Sequence, residues 1–150
     1  MPKVLFLDFD GVLAIKWTIP ELHFPQIPSV LSDLREKGHL LCVVSYNPQA
    51  ERAIREWNLY HYFEGVRAGC NQKWFGVYKD CVHRPGLSKA EQILDLIRFE
   101  LHSYDIYLDD CIFCDDDVDN INLVTQKLPA IKTVLIDENI GLTHDIVNHL

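Results

Sequence analysis

Val4, Leu5, Phe6 and Leu7 are apolar without alternation, and the run stops at Asp8-Phe9-Asp10-Gly11. A strand with one wet face alternates in polarity, so a strand without alternation has to be covered on both faces. That places Val4 to Leu7 inside a sheet and sends the two aspartates out of it into a loop. Leu40-Leu41-Cys42-Val43-Val44 has the same character and ends at Ser45-Tyr46-Asn47-Pro48, and Ile112-Phe113-Cys114 ends at Asp115-Asp116-Asp117. Thr133 to Ile136 is the last clear strand, and Tyr62 to Ala68 is a short strand region. Helical patterns lie between them. One opens at Pro28-Ser29, runs through Val30, Leu31 and Leu34, and closes at Lys37-Gly38. The next carries Ala50, Ile54 and Trp57, with Asn47 placed to cap it and Pro48 at its first position. Ser88 and Glu91 form a capping box ahead of Ile93, Leu94, Leu96, Ile97 and Leu101. Two further helices are expected near Asn120 to Leu128 and over Leu142 to Leu150. Strand alternating with helix gives the fold class: α/β, a three-layer Rossmann-like parallel sheet with helices on both faces. Gly69 to Leu87 follows neither period and reads as a long loop or hairpin holding Trp74, Phe75, Tyr78 and Arg84.

A chain of 150 residues fits one domain over residues 1–150, and 48% hydrophobic side chains are enough to give it a core. With 14 basic and 22 acidic residues the formal charge is −8, which argues against a general nucleic-acid binder. No apolar run approaches the roughly 18 residues of a membrane span. Met1-Pro2-Lys3, followed at once by a short strand, does not read as a signal peptide. Five cysteines (42, 70, 81, 111 and 114) cannot all pair, so reduced thiols and a cytoplasmic setting are expected. Cys111 and Cys114 have the spacing of a zinc knuckle that Cys81 and His83 could complete. Their strand-like setting favours small buried hydrophobes instead.

In open α/β sheets ligands sit beyond the carboxyl ends of the strands. Three such ends carry polar groups here: Asp8 and Asp10, Ser45 and Asn47, and Asp115 and Asp116. Asp8 and Asp10, two apart on extended chain, point the same way and repel one another. Asp115 and Asp116 add two more charges, and a hard cation with oxygen-only ligands, Mg²⁺, would relieve the repulsion. Asp109, Asp110 and Asp117 read as solvated turn formers. Ser45 precedes a helix whose first turn offers N–H donors, a place that suits a phosphate. Lys89 stands in the first turn of its helix, where a cation is electrostatically misplaced unless carboxylates hold it, and it can reach toward a ligand phosphate. Lys79 is the fallback for that role.

Taken in order, these residues resemble the four motifs of the haloacid dehalogenase (HAD) superfamily. Asp8-Phe9-Asp10-Gly11-Val12-Leu13 is similar to the first and Val43-Val44-Ser45-Tyr46-Asn47 to the second. Lys89 stands for the third, and Phe113-Cys114-Asp115-Asp116-Asp117-Val118-Asp119-Asn120 for the fourth. Asp109-Asp110 is a rival fourth motif, ranked lower because it lacks an asparagine in the place Asn120 occupies. The resemblance implies a phosphatase in which Asp8 is the nucleophile that becomes an aspartyl-phosphate and Asp10 is the general acid and base. It implies Mg²⁺ held by the Asp8 carboxylate, the Asp10 backbone carbonyl, Asp115 and Asp116. Ser45, the N–H of Tyr46 and Lys89 would hold the phosphate oxygens. Residues 14–38 and 48–88 are too short for a large cap domain. By family analogy a capless site takes a phosphoprotein or, with help from a second copy in a homo-oligomer, a small phosphoester. Nucleic acid is disfavoured by the charge, although Lys73, Lys79 and Arg84 could form a local basic patch. The rival reading is a non-catalytic HAD-fold binding or scaffold protein.

Overall fold

The computed structural model describes residues 3–69 and 86–150. Along the chain come β1 (Val4–Leu7), β2 (Ala14–Ile15), β3 (Leu22–His23), α1 (Ile27–Glu36), β4 (Leu40–Ser45), α2 (Ala50–Glu56) and β5 (Gly65–Ala68). They are followed by α3 (Lys89–Phe99), β6 (Cys111–Asp115), α4 (Val118–Lys127), β7 (Lys132–Leu135) and α5 (His144–Asn148). Five strands make one parallel sheet in the order β5-β4-β1-β6-β7. The most apolar strands, β1, β4 and β6, occupy its middle, as their lack of alternation requires.

Successive side chains of a strand point to opposite faces, and that rule builds two cores. Leu5, Leu7, Leu41, Val43, Ile112 and Cys114 face α1, α2 and α5 through Leu31, Leu34, Ile54 and Val147. Val4, Phe6, Cys42, Val44, Cys111 and Phe113 face α3 and α4 through Ile93, Leu96 and Val124. Cys111 and Cys114 thus lie in opposite cores, each thiol pushed up to about 12 by burial, and the strand separates them as a chelating pair. Cys81 and His83 fall outside the described residues, as do Lys73, Lys79, Trp74, Phe75, Tyr78 and Arg84.

Element ends differ from the sequence pattern where a side chain has another partner. Helix α2 begins at Ala50, not at Pro48, and Asn47 accepts from the Gln49 N–H ahead of it while its amide also reaches into the site described below. Residues Tyr60–Tyr62 form a short 3-10 turn before β5, which is therefore shorter than the expected strand region. Helix α5 is confined to five residues, with the Thr143 hydroxyl accepting from the N–H of Ile146. The antiparallel β2–β3 hairpin has strands of two residues each, too short to leave a periodic trace in the sequence. It is tied down by the Trp57 indole, which donates to the Glu21 carbonyl, while the Trp57 ring stacks on Phe9 at 5.3 Å between centroids. Among the described residues this hairpin is the one insertion between β1 and α1, and no cap domain is present.

Candidate active site

Parallel pairing aligns the carboxyl ends of β1, β4 and β6, and the register puts Leu7 beside Val43 and Cys114. The residues that follow, Asp8, Ser45 and Asp115, therefore meet at one edge of the sheet. Asp8, Ser45 and Asp115 are all buried. Lys89 enters this group from the other side. It is the first residue of α3, whose N-terminus is fixed by the Ser88–Glu91 capping box, and its backbone N–H donates to the Tyr46 hydroxyl at 2.9 Å.

The Lys89 side chain is only 1% exposed, and its ammonium spends all three donors. Nζ donates to Asp8 Oδ1 at 2.7 Å, to Asp115 Oδ2 at 2.9 Å and to the Val44 carbonyl at 2.9 Å. Burial alone would lower the Lys89 pKa, but the two carboxylates outweigh it and hold the ammonium above its ordinary value. Burial raises Asp8 well above the carboxylate range; Lys89 works against that rise, and the neighbouring Asp115 reinforces it. The expectation that carboxylates hold Lys89 in an electrostatically poor first turn is met by Asp8 and Asp115.

Asp115 is fully buried and accepts three hydrogen bonds. Its Oδ1 accepts from the Asp117 N–H at 2.9 Å, and Oδ2 accepts from Asn120 Nδ2 at 3.2 Å in addition to Lys89. Asp117 itself caps α4, its side chain accepting from the Asp119 N–H, as expected of a turn former. Carboxylate oxygens of Asp8, Asp115 and Asp116 lie within 4.8 Å of one another. Three converging carboxylates with no nitrogen or sulfur donor form an oxygen-only set that fits a hard divalent cation such as Mg²⁺. Asp109 and Asp110 lie in a short 3-10 turn at the opposite, amino end of β6, which removes them from this edge.

The Asp10 carboxylate is not part of the three-carboxylate cluster. Its Oδ2 accepts from Asn47 Nδ2 at 3.2 Å, while Asn47 Oδ1 accepts from the Gln49 N–H at 2.9 Å. Burial raises the Asp10 pKa, and the Asn47 hydrogen bond and Lys16 oppose that rise. Ser45 Oγ accepts from the Asn47 N–H at 2.9 Å, which leaves its own hydroxyl proton to donate elsewhere. The Ser45 carbonyl is held in turn by Gln92 Nε2 at 2.9 Å.

Every site residue expected from the sequence within the described region stands at this edge. The pattern named Asn47 and Tyr46 at this edge but not all that they do: Asn47 keeps a cap bond from the Gln49 N–H and also donates to Asp10, and the Tyr46 hydroxyl accepts from the Lys89 N–H. It did not reveal two further residues, Gln92 and Lys16. Gln92 is fully buried one turn after Lys89, and only that helical spacing pointed to it. Lys16, in the turn just after β2, pairs with Asp116 and with Glu138, and nothing in its local sequence marks it. Gly11, at φ 80°, belongs to the same arrangement: a Cβ there would lie 2.7 Å from Asp116 Oδ2 and 3.1 Å from Lys16 Cε.

No family model and no curated protein matches the sequence. Solved structures do match it. A HAD-superfamily hydrolase of subfamily IA from Geobacter sulfurreducens superposes with a TM-score of 0.65 at 12% identity, covering 100% of both chains. The chain has the haloacid dehalogenase fold. A second structure with the HAD-like architecture is the N-terminal, phosphatase-domain part of a Bacteroides fragilis protein, in complex with Mg (TM-score 0.68, 16% identity). It covers 99% of this chain and 39% of that one. A third is 3-deoxy-D-manno-octulosonate 8-phosphate phosphatase from Moraxella catarrhalis, bound to magnesium, phosphate and its sugar (TM-score 0.53, 17% identity). It covers 83% of this chain and 63% of that one. In this fold the carboxyl edge of the sheet is where Asp8, Ser45, Lys89 and Asp115 meet.

Proposed function

We propose that this chain is a Mg²⁺-dependent phosphatase that hydrolyses a phosphomonoester through an aspartyl-phosphate on Asp8, with the whole site carried by one domain. The observation that carries this reading is the buried Asp8–Lys89–Asp115 bridge with Asp116 beside it. A scaffold protein has no use for such a bridge. Gathering Asp8, Asp115 and Asp116 against Lys89, with Lys16 reaching only Asp116 at the rim, leaves net negative charge that costs stability unless a further cation offsets it. The phosphatase and hydrolase names of the structural neighbours support the same chemistry.

Asp8, Asp115 and Asp116, with the Asp10 backbone carbonyl, would hold the Mg²⁺, which when bound supplies charge neutralisation for the phosphoryl group. The Asp8 carboxylate attacks phosphorus in line with the ester oxygen. The P–O bond to the leaving group breaks, its electron pair goes to that oxygen, and the Asp10 carboxyl delivers a proton there. Burial suits Asp10 to this duty, because a raised pKa keeps a carboxyl protonated nearer neutrality. The Asp10 carboxylate left behind takes a proton from water as the water oxygen attacks phosphorus. The Asp8–phosphorus bond breaks, releasing phosphate and restoring Asp8. Ser45, with its free hydroxyl proton, and the N–H of Tyr46 bind the non-bridging oxygens. Lys89, its donors spent on protein oxygens, acts on them as fixed charge.

The open edge favours a phosphorylated macromolecule over a small ester. Trp17 and Ile19, at the tip of the β2–β3 hairpin next to Lys16, are 89% and 98% exposed, and large apolar groups left in water suit contact with a protein surface. No helix among the described residues is long and apolar enough to cross a membrane, and buried free thiols at Cys42, Cys111 and Cys114 fit a cytoplasmic, reducing setting. The test is hydrolysis of an aryl phosphate, and then of a panel of phosphopeptides, sugar phosphates and nucleotides, with and without Mg²⁺. Turnover that requires Mg²⁺ is expected. Equal turnover in the presence of a chelator refutes the mechanism, and no turnover on any member of the panel returns the scaffold reading.

A further inference from the structure

Lys16 lies on the hairpin, far in sequence from the groups it touches. Its ammonium contacts Asp116 Oδ2 and Glu138 Oε2, the latter at 2.8 Å. Side-chain exposure rises along this chain of charges, from 3% at Asp116 through 26% at Lys16 to 52% at Glu138. The lysine therefore joins the edge of the carboxylate cluster to solvent. Burial would lower its pKa, but the two carboxylates outweigh that effect and keep it protonated at any physiological pH. Gly11 leaves the space in which Asp116 and Lys16 meet.

We propose that Lys16 sets the affinity of the Asp8, Asp115 and Asp116 cluster for its divalent cation, by competing for Asp116 and repelling the cation through space, with Glu138 holding the ammonium in place. The inference rests on the cation-site reading above and goes beyond it, since that reading gives Lys16 no part in holding the Mg²⁺. Leaving out Asp10, whose raised pKa keeps it protonated nearer neutrality, the charges at this edge are four carboxylates, Asp8, Asp115, Asp116 and Glu138, against the ammonium groups of Lys89 and Lys16. The deficit of two positive charges is what one divalent ion makes good. Without Lys16 the deficit is three, and the cluster attracts the ion more strongly than neutrality requires. Lys16 differs from Lys89 in being reachable: Lys89 is sealed among protein oxygens, whereas the Lys16 ammonium can retreat onto Glu138 when a cation takes Asp116.

The test is a calorimetric titration of the metal-free full chain with Mg²⁺, which reads binding without reference to turnover. Lys16→Met is expected to bind Mg²⁺ about tenfold more tightly at moderate ionic strength. Lys16→Arg, which keeps the charge, should stay within about twofold of wild type. Glu138→Gln frees the ammonium to sit on Asp116 alone and should weaken binding about two- to threefold. Equal or weaker binding in Lys16→Met, while Asp115→Asn abolishes it, overturns the role of Lys16 and leaves the cation site standing. Tighter binding in Glu138→Gln overturns the proposal as well. Absence of Mg²⁺ binding in wild type overturns both readings.

Discussion

Strand β6 has an aspartate pair at each end, and the two pairs have opposite fates. Asp109 and Asp110 precede it in a 3-10 turn, where no lysine or arginine among the described residues pairs with them. Asp115 closes the strand fully buried, and Asp116 follows with its side chain 3% exposed, held by Lys89, Asn120 and Lys16. Composition is the same at both ends; strand direction is not. In a parallel sheet all carboxyl ends share one edge, so Asp115 meets Asp8 from β1 and the lysine of α3. At the amino edge the same residues meet water. Acidic pairs become chemistry only where the topology brings other charges to them.

The sharpest way to break this contrast is to neutralise each pair and measure turnover. Asp8→Asn removes the proposed nucleophile and should lower kcat about 10⁴-fold or more, with Asp115→Asn close behind. Asp109→Asn together with Asp110→Asn should leave kcat/KM within about twofold. A large loss in the amino-edge double variant would make Asp109-Asp110 the working pair and reverse the assignment of the fourth motif.

Stability separates the two ends next. Lys89→Met strips the ammonium from Asp8 and Asp115 and leaves buried carboxylates without their partner, a change that costs about 3–5 kcal/mol. For a chain of this length the melting temperature should fall by about 10 °C or more, and Mg²⁺ should restore part of the loss. Substitutions at Asp109 or Asp110 should move stability by no more than about 0.5 kcal/mol. If Lys89→Met melts with wild type, the bridge is not what fixes this edge.

How much of this could be read from the sequence follows the same division. The central strands, the helices between them and the aspartates at the strand ends were legible because each depends on its own local pattern: Val4 to Leu7 is apolar throughout, and Ser88 with Glu91 caps α3 whatever lies nearby. Lys89 was legible as an anomaly, a cation in a first turn. What was missed, Lys16 and Gln92 and the further contacts of Asn47 and Tyr46, depends on tertiary proximity. Lys16 is 100 residues from Asp116, and the turn it occupies after a two-residue strand shows no period. Asn47 fitted the description of a cap and does accept from the Gln49 N–H, but only the nearness of Asp10 gives its amide a second partner. Tyr46 and Gln92 touch α3 and Ser45 by packing across the sheet edge, which no spacing in the chain records.

The smallest effect asks whether burial or ion pairing governs Asp8 in the metal-free protein. Its pKa is raised above the 3.8 of a free aspartate because burial outweighs Lys89. A raised carboxyl contributes stability that is present below about pH 4 and is lost as pH climbs through the folded-state value, since above it the folded protein carries a charge the unfolded chain holds more easily. Asp10 and Asp116 are shifted in the same direction, also by burial, so the metal-free protein pays this cost at several positions. Asp8→Asn removes one of them. As pH rises above about 4 the variant should therefore gain stability relative to wild type, by no more than about 1.4 kcal/mol per pH unit. Urea unfolding with a chelator present, at several pH values, reads the difference directly. A flat difference means that Lys89 cancels burial at Asp8, and a difference of opposite sign means that the ion pair dominates. In either case Asp8 would resemble a paired surface carboxylate more than a buried one, and the contrast between the two ends of the sheet would rest on Asp115 alone.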